Sequence, residues 1–349
     1  MPRSTRPSMT SSDTPTQGRA ETPIAFVQAI ATACQARGLS PNGALQKAQI
    51  EPHALANPKT RITAMQMEWV SGAAMQELDD EGLGWFSRRL PWGSYGMLVR
   101  ASLTAPTLGV ALKRWCRHHG LLTDDIRLQV HAAQGVAAVQ LDEVHALPAA
   151  QREFCIVSVL RNALGVACWL TDSRIALSHT SLRFAPPAHA ASYRVLFDGP
   201  TEFNAAHNRL TFDAGYLDLP IRRDEAALQR MLQRALLLTV RPYRRDRLLI
   251  ERVRQVLSRH PEHARNADDL AAHLGLSART LHRQLQQEGA SLQQLKDAVR
   301  RDKAMQLLLK TNKPIKQIAA EVGFANDKSF MRAFQGWTQQ SPDAWRKRK

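Results

Sequence analysis

Cysteine is scarce in this chain and widely scattered: Cys34, Cys116, Cys155 and Cys168 are the four among 349 residues. They form no C-x-x-C pair and no dense framework, which argues against a zinc ribbon or a disulfide-stapled scaffold and fits a reducing compartment. Long apolar runs are also missing. The longest, "FCIVSVLRNALGVACWL" from Phe154 to Leu170, is short for a membrane span and carries Arg161 and Asn162 at its middle, so it reads as a buried amphipathic helix. The first 23 residues hold Ser, Thr, Pro and Arg without the apolar stretch of a secretory signal, and they read as a disordered leader. The expectation is a soluble, cytoplasmic protein with no membrane contact.

Acidic residues are few relative to basic ones. The chain has 31 Asp and Glu against 47 Lys and Arg, a formal charge of +16 and a pI near 10.4, which favours an anionic partner such as nucleic acid or a membrane surface. The imbalance is uneven: from Arg241 onward there are 23 basic and 11 acidic residues, +12, which leaves 24 and 20, +4, for the first 240 positions. The charge is therefore concentrated at the C-terminal end. A length of 349 residues with 44% hydrophobic content is enough for two or three domains, each with its own core.

Helical spacing runs from Ile24 to about Gly72, broken at "GLSPNG" and "NPKTR", and continues through Trp69, Val70, Ala73 and Leu78. "LPWGSYG" is a Pro/Gly loop, and Pro106 with Thr107 opens a helix that Gly120 stops. The period then changes. "IRLQVHA" and "VAAVQLDEV", separated by Ala-Gln-Gly, alternate as a hairpin does. A helix over Arg152 to Leu170 follows, and "TSLRFAP", "EFNA" and "RLTFDAG" read as short strands, with "HAASYRVLF" helical between the first two. The fold class expected for residues 24–225 is α+β, with strands gathered in the second half. "RRDEAALQRMLQRALLL" reads as a charged helix that runs into a boundary, with "TVRPYRRD" as the linker because Pro242 sits among arginines; the linker is placed at residues 226–244, and residues 245–349 form an all-α domain of seven helices.

Within that last domain one pattern occurs twice. "LAAHLGLSARTLHRQL", Leu270 to Leu285, is echoed by "IAAEVGFANDKSFMRAF", Ile318 to Phe334. In the first copy Leu270, Ala271 and Leu274 form an apolar stripe, Gly275 permits a tight turn, Ser277 caps, and Leu281 with Leu285 anchors the next helix. Ile318, Ala319, Val322, Gly323, Asn326, Phe330 and Phe334 repeat the pattern, with one extra residue in the turn. This is a helix-turn-helix written twice. The exposed positions of the second helices are expected to be Ala278, Arg279, His282, Arg283 and Gln286 in the first copy and Asp327, Lys328, Met331, Arg332 and Gln335 in the second. Arg, Lys and Gln are the residues that reach base edges and phosphates of double-stranded DNA. A structural reading stays open beside this one, in which Arg283 and Arg332 pair with acids of the domain. The tail "WRKRK" reads as a solvated, phosphate-attracting end.

The C-terminal segment resembles the AraC/XylS family of bacterial transcription regulators. The residues that carry the resemblance are Ile318-Ala319, Gly323-Phe324, Ser329, Phe330, Arg332, Phe334, Ser341-Pro342, Trp345 and Arg346. Two positions depart from the family pattern: Gln339 replaces the usual Gly, which is expected to strain the turn, and Gln335-Gly336 replaces a basic pair, which removes phosphate contacts. "WGSYGMLVRASLTAPTLGVALKRWCRHHGLL", "LRFAPPAHAASYRVLF" and "LTFDAGYLDLPI" are similar to the regulatory domain of the arabinose-binding-like subgroup. The resemblance implies a small-molecule effector of unspecified chemistry, activation, contact with RNA polymerase and a homodimer, although no coiled-coil heptads require one. The rival expectation is a ligand-independent DNA-binding or architectural protein whose first domain only dimerises.

No enzyme is expected, because no set of nucleophile, base and orienting group stands at readable spacing, and no cofactor is implied. A repair methyltransferase fused to such a DNA-binding domain would need clustered and reactive cysteines, which this sequence does not have. Cys116, His118 and His119 in "WCRHH" make a poor metal site, since adjacent helical residues diverge by about 100°. Trp69, Trp85, Phe86, Trp92, Tyr95 and Trp115 are core formers first. Trp92, Tyr95 and Trp115 are the candidates for lining a ligand pocket, the first two because they lie in a glycine-containing loop.

Overall fold

The computed structural model describes residues 15–16, 18–236, 246–260 and 266–347. Contacts divide the chain into two units, Met1–Asp246 and Arg247–Lys349. Most of the expected leader and the "TVRPYRRD" linker up to Arg245 lie outside the described residues.

The first unit begins with a strand. β1 (Ala20–Pro23) pairs antiparallel with β2 (Arg61–Thr63), so the expected leader ends in ordered structure. The pairing partner is some 40 residues away, and nothing local in Ala-Glu-Thr-Pro announces it. Between them lie α1 (Ile24–Ala36) and α2 (Asn42–Lys47). α3 (Ala64–Leu78) starts at a capping box, in which the Thr63 hydroxyl accepts from the Gln66 amide and the Gln66 side chain accepts from the Thr63 amide. α4 (Ser94–Leu103) starts inside the expected Pro/Gly loop, and α5 (Leu108–His119) runs from Thr107 to Gly120.

The alternating segments form the hairpin β3 (Ile126–Ala133) and β4 (Val136–Glu143). Gln134 and Gly135 both take positive φ, 51° and 78°, as a two-residue turn matched to strand twist requires. β5 (Leu177–Ser181), β6 (Thr201–Glu202) and β7 (Asn208–Asp213) complete a five-stranded sheet of order β3-β4-β7-β5-β6, in which only β5 and β6 run parallel. A 3-10 turn and α7 (Tyr193–Leu196) connect β5 to β6.

Across this sheet lies α6 (Arg152–Thr171), packed on β4, β7 and α5. At 20 residues it is longer than the apolar run and meets the length and apolarity of a membrane span, yet 83% of its apolar window is buried inside this unit. α8 (Glu225–Leu232), capped by Asp224, packs on α4. It occupies the start of the stretch assigned to the linker, which is therefore ordered at least to Leu236.

The second unit consists of α9 (Leu248–Arg259), α10 (Ala267–His273), α11 (Ala278–Gln287), α12 (Leu292–Lys310), α13 (Ile315–Glu321), α14 (Asp327–Thr338) and α15 (Pro342–Arg346). It holds two cores. Ile250, Val253, Leu270, Ala271, Leu281, Leu285, Leu292 and Leu295 build one; Ala304, Leu308, Ile318, Ala319, Val322, Phe330 and Phe334 build the other. α12 contributes to both and joins them. Gly275 and Gly323, at φ 70° and 85°, stop α10 and α13 in the left-handed conformation. The Leu276 and Phe324 amides then donate back to the Ala271 and Ala319 carbonyls at 2.8 and 2.9 Å, the same turn at equivalent places.

Candidate ligand cavity and nucleic-acid interface

Asp80 organises the loop that leads to the cavity of the first unit. Its Oδ1 accepts from the Gly82 and Leu90 amides, both at 2.9 Å, and its Oδ2 accepts from the Gly84 amide at 3.0 Å and the Arg37 guanidinium at 3.1 Å. The neighbouring Glu81 caps α4: Oε1 accepts from the Gly93 amide and Oε2 from the Tyr95 amide, each at 2.7 Å. Burial pushes the Glu81 carboxyl above its ordinary pKa, and the two amide donors oppose that rise.

Glu81 lines a cavity of about 1040 Å³, walled chiefly by α3, α4, α6 and residues 232–236. From α6 come Phe154, Val157, Ser158, Arg161 and Asn162, whose spacing of three and four puts them on one helix face. Trp69, Trp85, Trp92, Tyr95, Phe26 and Met97 supply apolar wall. The segment after α8 closes one side. Leu232 sits where a Cβ on Gly96 would be 3.1 Å away, and Leu236 sits at 3.4 Å from the corresponding point on Gly72. Arg234 donates to both oxygens of the buried Glu68, at 2.9 and 3.3 Å, and Arg100 of α4 pairs with Glu225 at 2.7 Å on the surface.

Of the three aromatic candidates, Trp92 and Tyr95 line the cavity, whereas Trp115 lies in the core behind Tyr95, stacked on it with ring centroids 5.9 Å apart. The Tyr95 hydroxyl stands 3.4 Å from Nε2 of His119, which is fully buried and whose pKa burial pulls down to about 4. Cys116 is buried as well, and burial pushes its thiol up to about 12. Among the described residues no three His, Cys, Asp or Glu side chains gather as metal ligands would. The sequence reading singled out neither Glu68, Glu81 nor Ser158 for the cavity. Arg161 and Asn162 do carry a signal, two polar residues inside an apolar run, which speaks against a membrane span and equally marks a polar helix face.

In the second unit each repeat ends on a capped helix. Ser277 Oγ accepts from the Thr280 amide at 3.2 Å, and Asn326 Oδ1 accepts from the Ser329 amide at 2.8 Å. Leu281, Leu285, Phe330 and Phe334 face inward with no exposure. The opposite faces carry Arg279, His282, Arg283 and Gln286 on α11, and Lys328, Met331, Arg332 and Gln335 on α14, all exposed, with Asp327 half-buried at the start of α14. Among the described residues neither Arg279, Arg283, Lys328 nor Arg332 has a side-chain hydrogen bond or an ion pair, and the pairing of Arg283 and Arg332 with acids of the domain is not found. α12, with 19 residues, spans roughly 28 Å at 1.5 Å per residue.

Two capped helices on separate small cores, presenting cations that no acid among the described residues neutralises, on a chain whose other unit encloses a cavity, define a DNA-binding regulatory protein. Comparison with known proteins gives the family. Residues 38–221 match the arabinose-binding domain of AraC transcription regulators, N-terminal, and residues 270–348 match a helix-turn-helix domain. The chain belongs to the AraC family of transcription regulators. It is similar to the ornithine utilization regulator of Pseudomonas aeruginosa, 27% identical over 93% of this chain and 96% of that protein. An uncharacterised HTH-type transcriptional regulator of Mycobacterium bovis is 25% identical, again over 93% and 96%. Among solved structures, the transcriptional regulator CdpR from Pseudomonas aeruginosa aligns over 93% of this chain and 98% of its own with 19% identity and a TM-score of 0.34. The family and the two sequence relatives are regulators of transcription, not enzymes, and so is this chain.

Proposed function

We propose that this regulator is ligand-responsive: a small metabolite enters the cavity of the first unit, and the helix-turn-helix pair responds by binding its promoter differently. One observation carries the reading. The cavity wall includes residues 232–236, the last described residues before the stretch that leads into the second unit, so a guest in the cavity touches the segment through which the chain continues to the DNA-binding unit. The name of the ornithine utilization regulator supports a link to metabolism; that name speaks of the relative, and the chemistry of the effector here rests on this chain's own lining.

On DNA, Arg279, His282, Arg283 and Gln286 are the proposed readers of one major-groove face and Asp327, Lys328, Met331 and Arg332 of the next. The connector length supports this, since successive faces of the same groove are about 34 Å apart. Cytoplasmic placement, activation, contact with RNA polymerase and a homodimer follow from the resemblance to the family and belong to the same proposal. Footprinting of the full-chain protein on its own upstream region, with and without metabolites that raise its melting temperature, tests the reading. A footprint that shifts or strengthens with one compound supports it; if no compound raises the melting temperature or alters the footprint, the first unit is only an assembly domain and the proposal fails.

A further inference from the structure

Seven charged side chains line the cavity, and all but one have a partner that answers their charge. Glu68 pairs with Arg234, Arg100 with Glu225, Lys47 with Glu77 and Glu21 with Arg19, and Arg161 has interactions of its own. Glu81 is the exception. It is 8% exposed, has no ion pair among the described residues, and is met there by the Gly93 and Tyr95 amides. A carboxylate held this far from water is costly unless a cation or enough donors meet it. Burial raises the Glu81 carboxyl in spite of its two amides, so they do not fully offset the loss of water.

The surroundings suit a cation as well. Each Glu81 oxygen accepts one amide and retains a lone pair for a second donor. Trp92 and Tyr95 lie in the segment that Glu81 caps, and Trp69 and Trp85 belong to the same wall; aromatic faces attract cations, more strongly where water is excluded. Three lining side chains, Trp92, Met97 and Val195, are 51%, 55% and 45% exposed. Apolar surface left open beside a cavity gains from being covered by an apolar guest.

We infer, on the reading that this cavity is the effector site, that its guest is a protonated amine on an apolar body: the ammonium donates to the remaining lone pairs of Glu81 with Trp92 beside it, and the body covers the exposed apolar side chains. A carboxylate guest would add to the charge left unmet at Glu81. A neutral alcohol or sugar would hydrogen-bond that carboxylate without neutralising it, and a quaternary ammonium would neutralise it without donating. The amine does both.

Calorimetric titration of the full-chain protein at neutral pH tests this with six probes: hexylamine and 2-phenylethylamine, their neutral counterparts 1-hexanol and 2-phenylethanol, hexanoate, and L-arabinose. The expected result is that one or both amines bind about tenfold or more tightly than the matching alcohol, hexanoate or arabinose. Glu81→Gln, which keeps the size and removes the charge, should bring the amine down to the affinity of its alcohol and leave the alcohol unchanged. Trp92→Leu should weaken the amine by about threefold or more and its alcohol less. Unchanged melting of the ligand-free variants shows that they fold; Glu81 also caps α4, and if Glu81→Gln does not fold, Trp92→Leu at its half-exposed position decides. Preference for an alcohol, hexanoate or arabinose overturns the amine while leaving an effector site in place. So does an amine preference that survives undiminished in folded Glu81→Gln or, failing that variant, in Trp92→Leu. Failure of all six probes also overturns it, and the effector reading itself falls only if a broad metabolite set gives no stabilisation either.

Discussion

Arg279 and Arg332 sit on different copies of the repeat, exposed and without an ion-pair partner among the described residues. Each is available to DNA without first breaking an internal bond. Arg279→Ala and Arg332→Ala are expected each to weaken binding to a mapped operator by roughly 1–3 kcal/mol and to relax base preference at one position; wild-type affinity in a gel-shift titration for both would remove them as readers. Gln339 is a different case. It ends α14 at φ 58°, the left-handed conformation in which a Cβ is penalised and glycine is not. Gln339→Gly should therefore raise the stability of the second unit by about 0.5–1 kcal/mol, the relief of strain being partly offset by the freer unfolded chain, and chemical denaturation followed by tryptophan fluorescence would register it. His119 gives a pH dependence. Its folded pKa of about 4 lies below the ordinary 6.5, so the unfolded chain takes up the proton first as pH falls. The stability His119 contributes is complete above about pH 6.5 and is lost on the way down to pH 4, by an amount on the order of 3 kcal/mol. Comparing wild type with His119→Gln across that range isolates the effect from the carboxylates, which titrate in both proteins; parallel curves would count against it.

The second unit has two cores joined by α12, and this sets what a core substitution can reach. Phe330→Ala should cost about 3–5 kcal/mol and Leu281→Ala about 2–5 kcal/mol, each falling mainly on its own core. Hydrogen exchange should then show α13 and α14 losing protection in Phe330→Ala while α10 and α11 keep more of theirs; equal loss throughout would mean that the two cores melt as one. These helices were legible because their signals are local: a cap, a stop glycine and an i, i+4 apolar pair occur within sixteen residues in the first copy and seventeen in the second. The hairpin of β3 and β4 was legible for the same reason. β1 was not, since its partner β2 lies across two intervening helices; the helix at the start of the supposed linker was, but that Leu232 and Leu236 meet Gly96 and Gly72 shows only in the folded unit. The cavity suffered most from this limit. Its charged lining, Glu21, Lys47, Glu68, Glu81, Arg100, Arg161 and Arg234, comes from separated stretches of chain, and the one local clue, Arg161 with Asn162 inside an apolar run, says that a helix has an unusual face without saying what that face meets. The glycine-containing loop set Trp92 and Tyr95 apart from Trp115, whose place in the core behind Tyr95 depends on the packing of α5.

Charge is divided along the chain much as the two units divide it, with +12 of the +16 from Arg241 onward. Affinity for any duplex should therefore reside in the second unit and fall with salt, because each phosphate neutralised releases condensed counterion, with a slope of about −0.9 per contact in a plot of log K against log salt. The second repeat falls short of that potential at Gln335 and Gly336, where the family pattern has a basic pair. Both are exposed on α14, and nothing lies within 4 Å of the point where a Cβ on Gly336 would sit. A lysine fits there without displacing a neighbour. It should also stabilise the helix, since glycine within a helix costs about 0.5–1 kcal/mol relative to alanine and lysine is nearly as good a helix former. The double substitution Gln335→Lys with Gly336→Lys is thus expected to do two separable things: raise the stability of the second unit slightly, and steepen the salt dependence of duplex binding by up to about 1.8. Base preference should change little, because added phosphate contacts strengthen all sequences nearly alike. Titrations on cognate and unrelated duplexes at several salt concentrations distinguish the outcomes. A steeper slope on both duplexes puts this end of α14 against the backbone; an unchanged slope, with the gain in stability still present, would mean that it faces away from DNA and that the second repeat docks in another orientation.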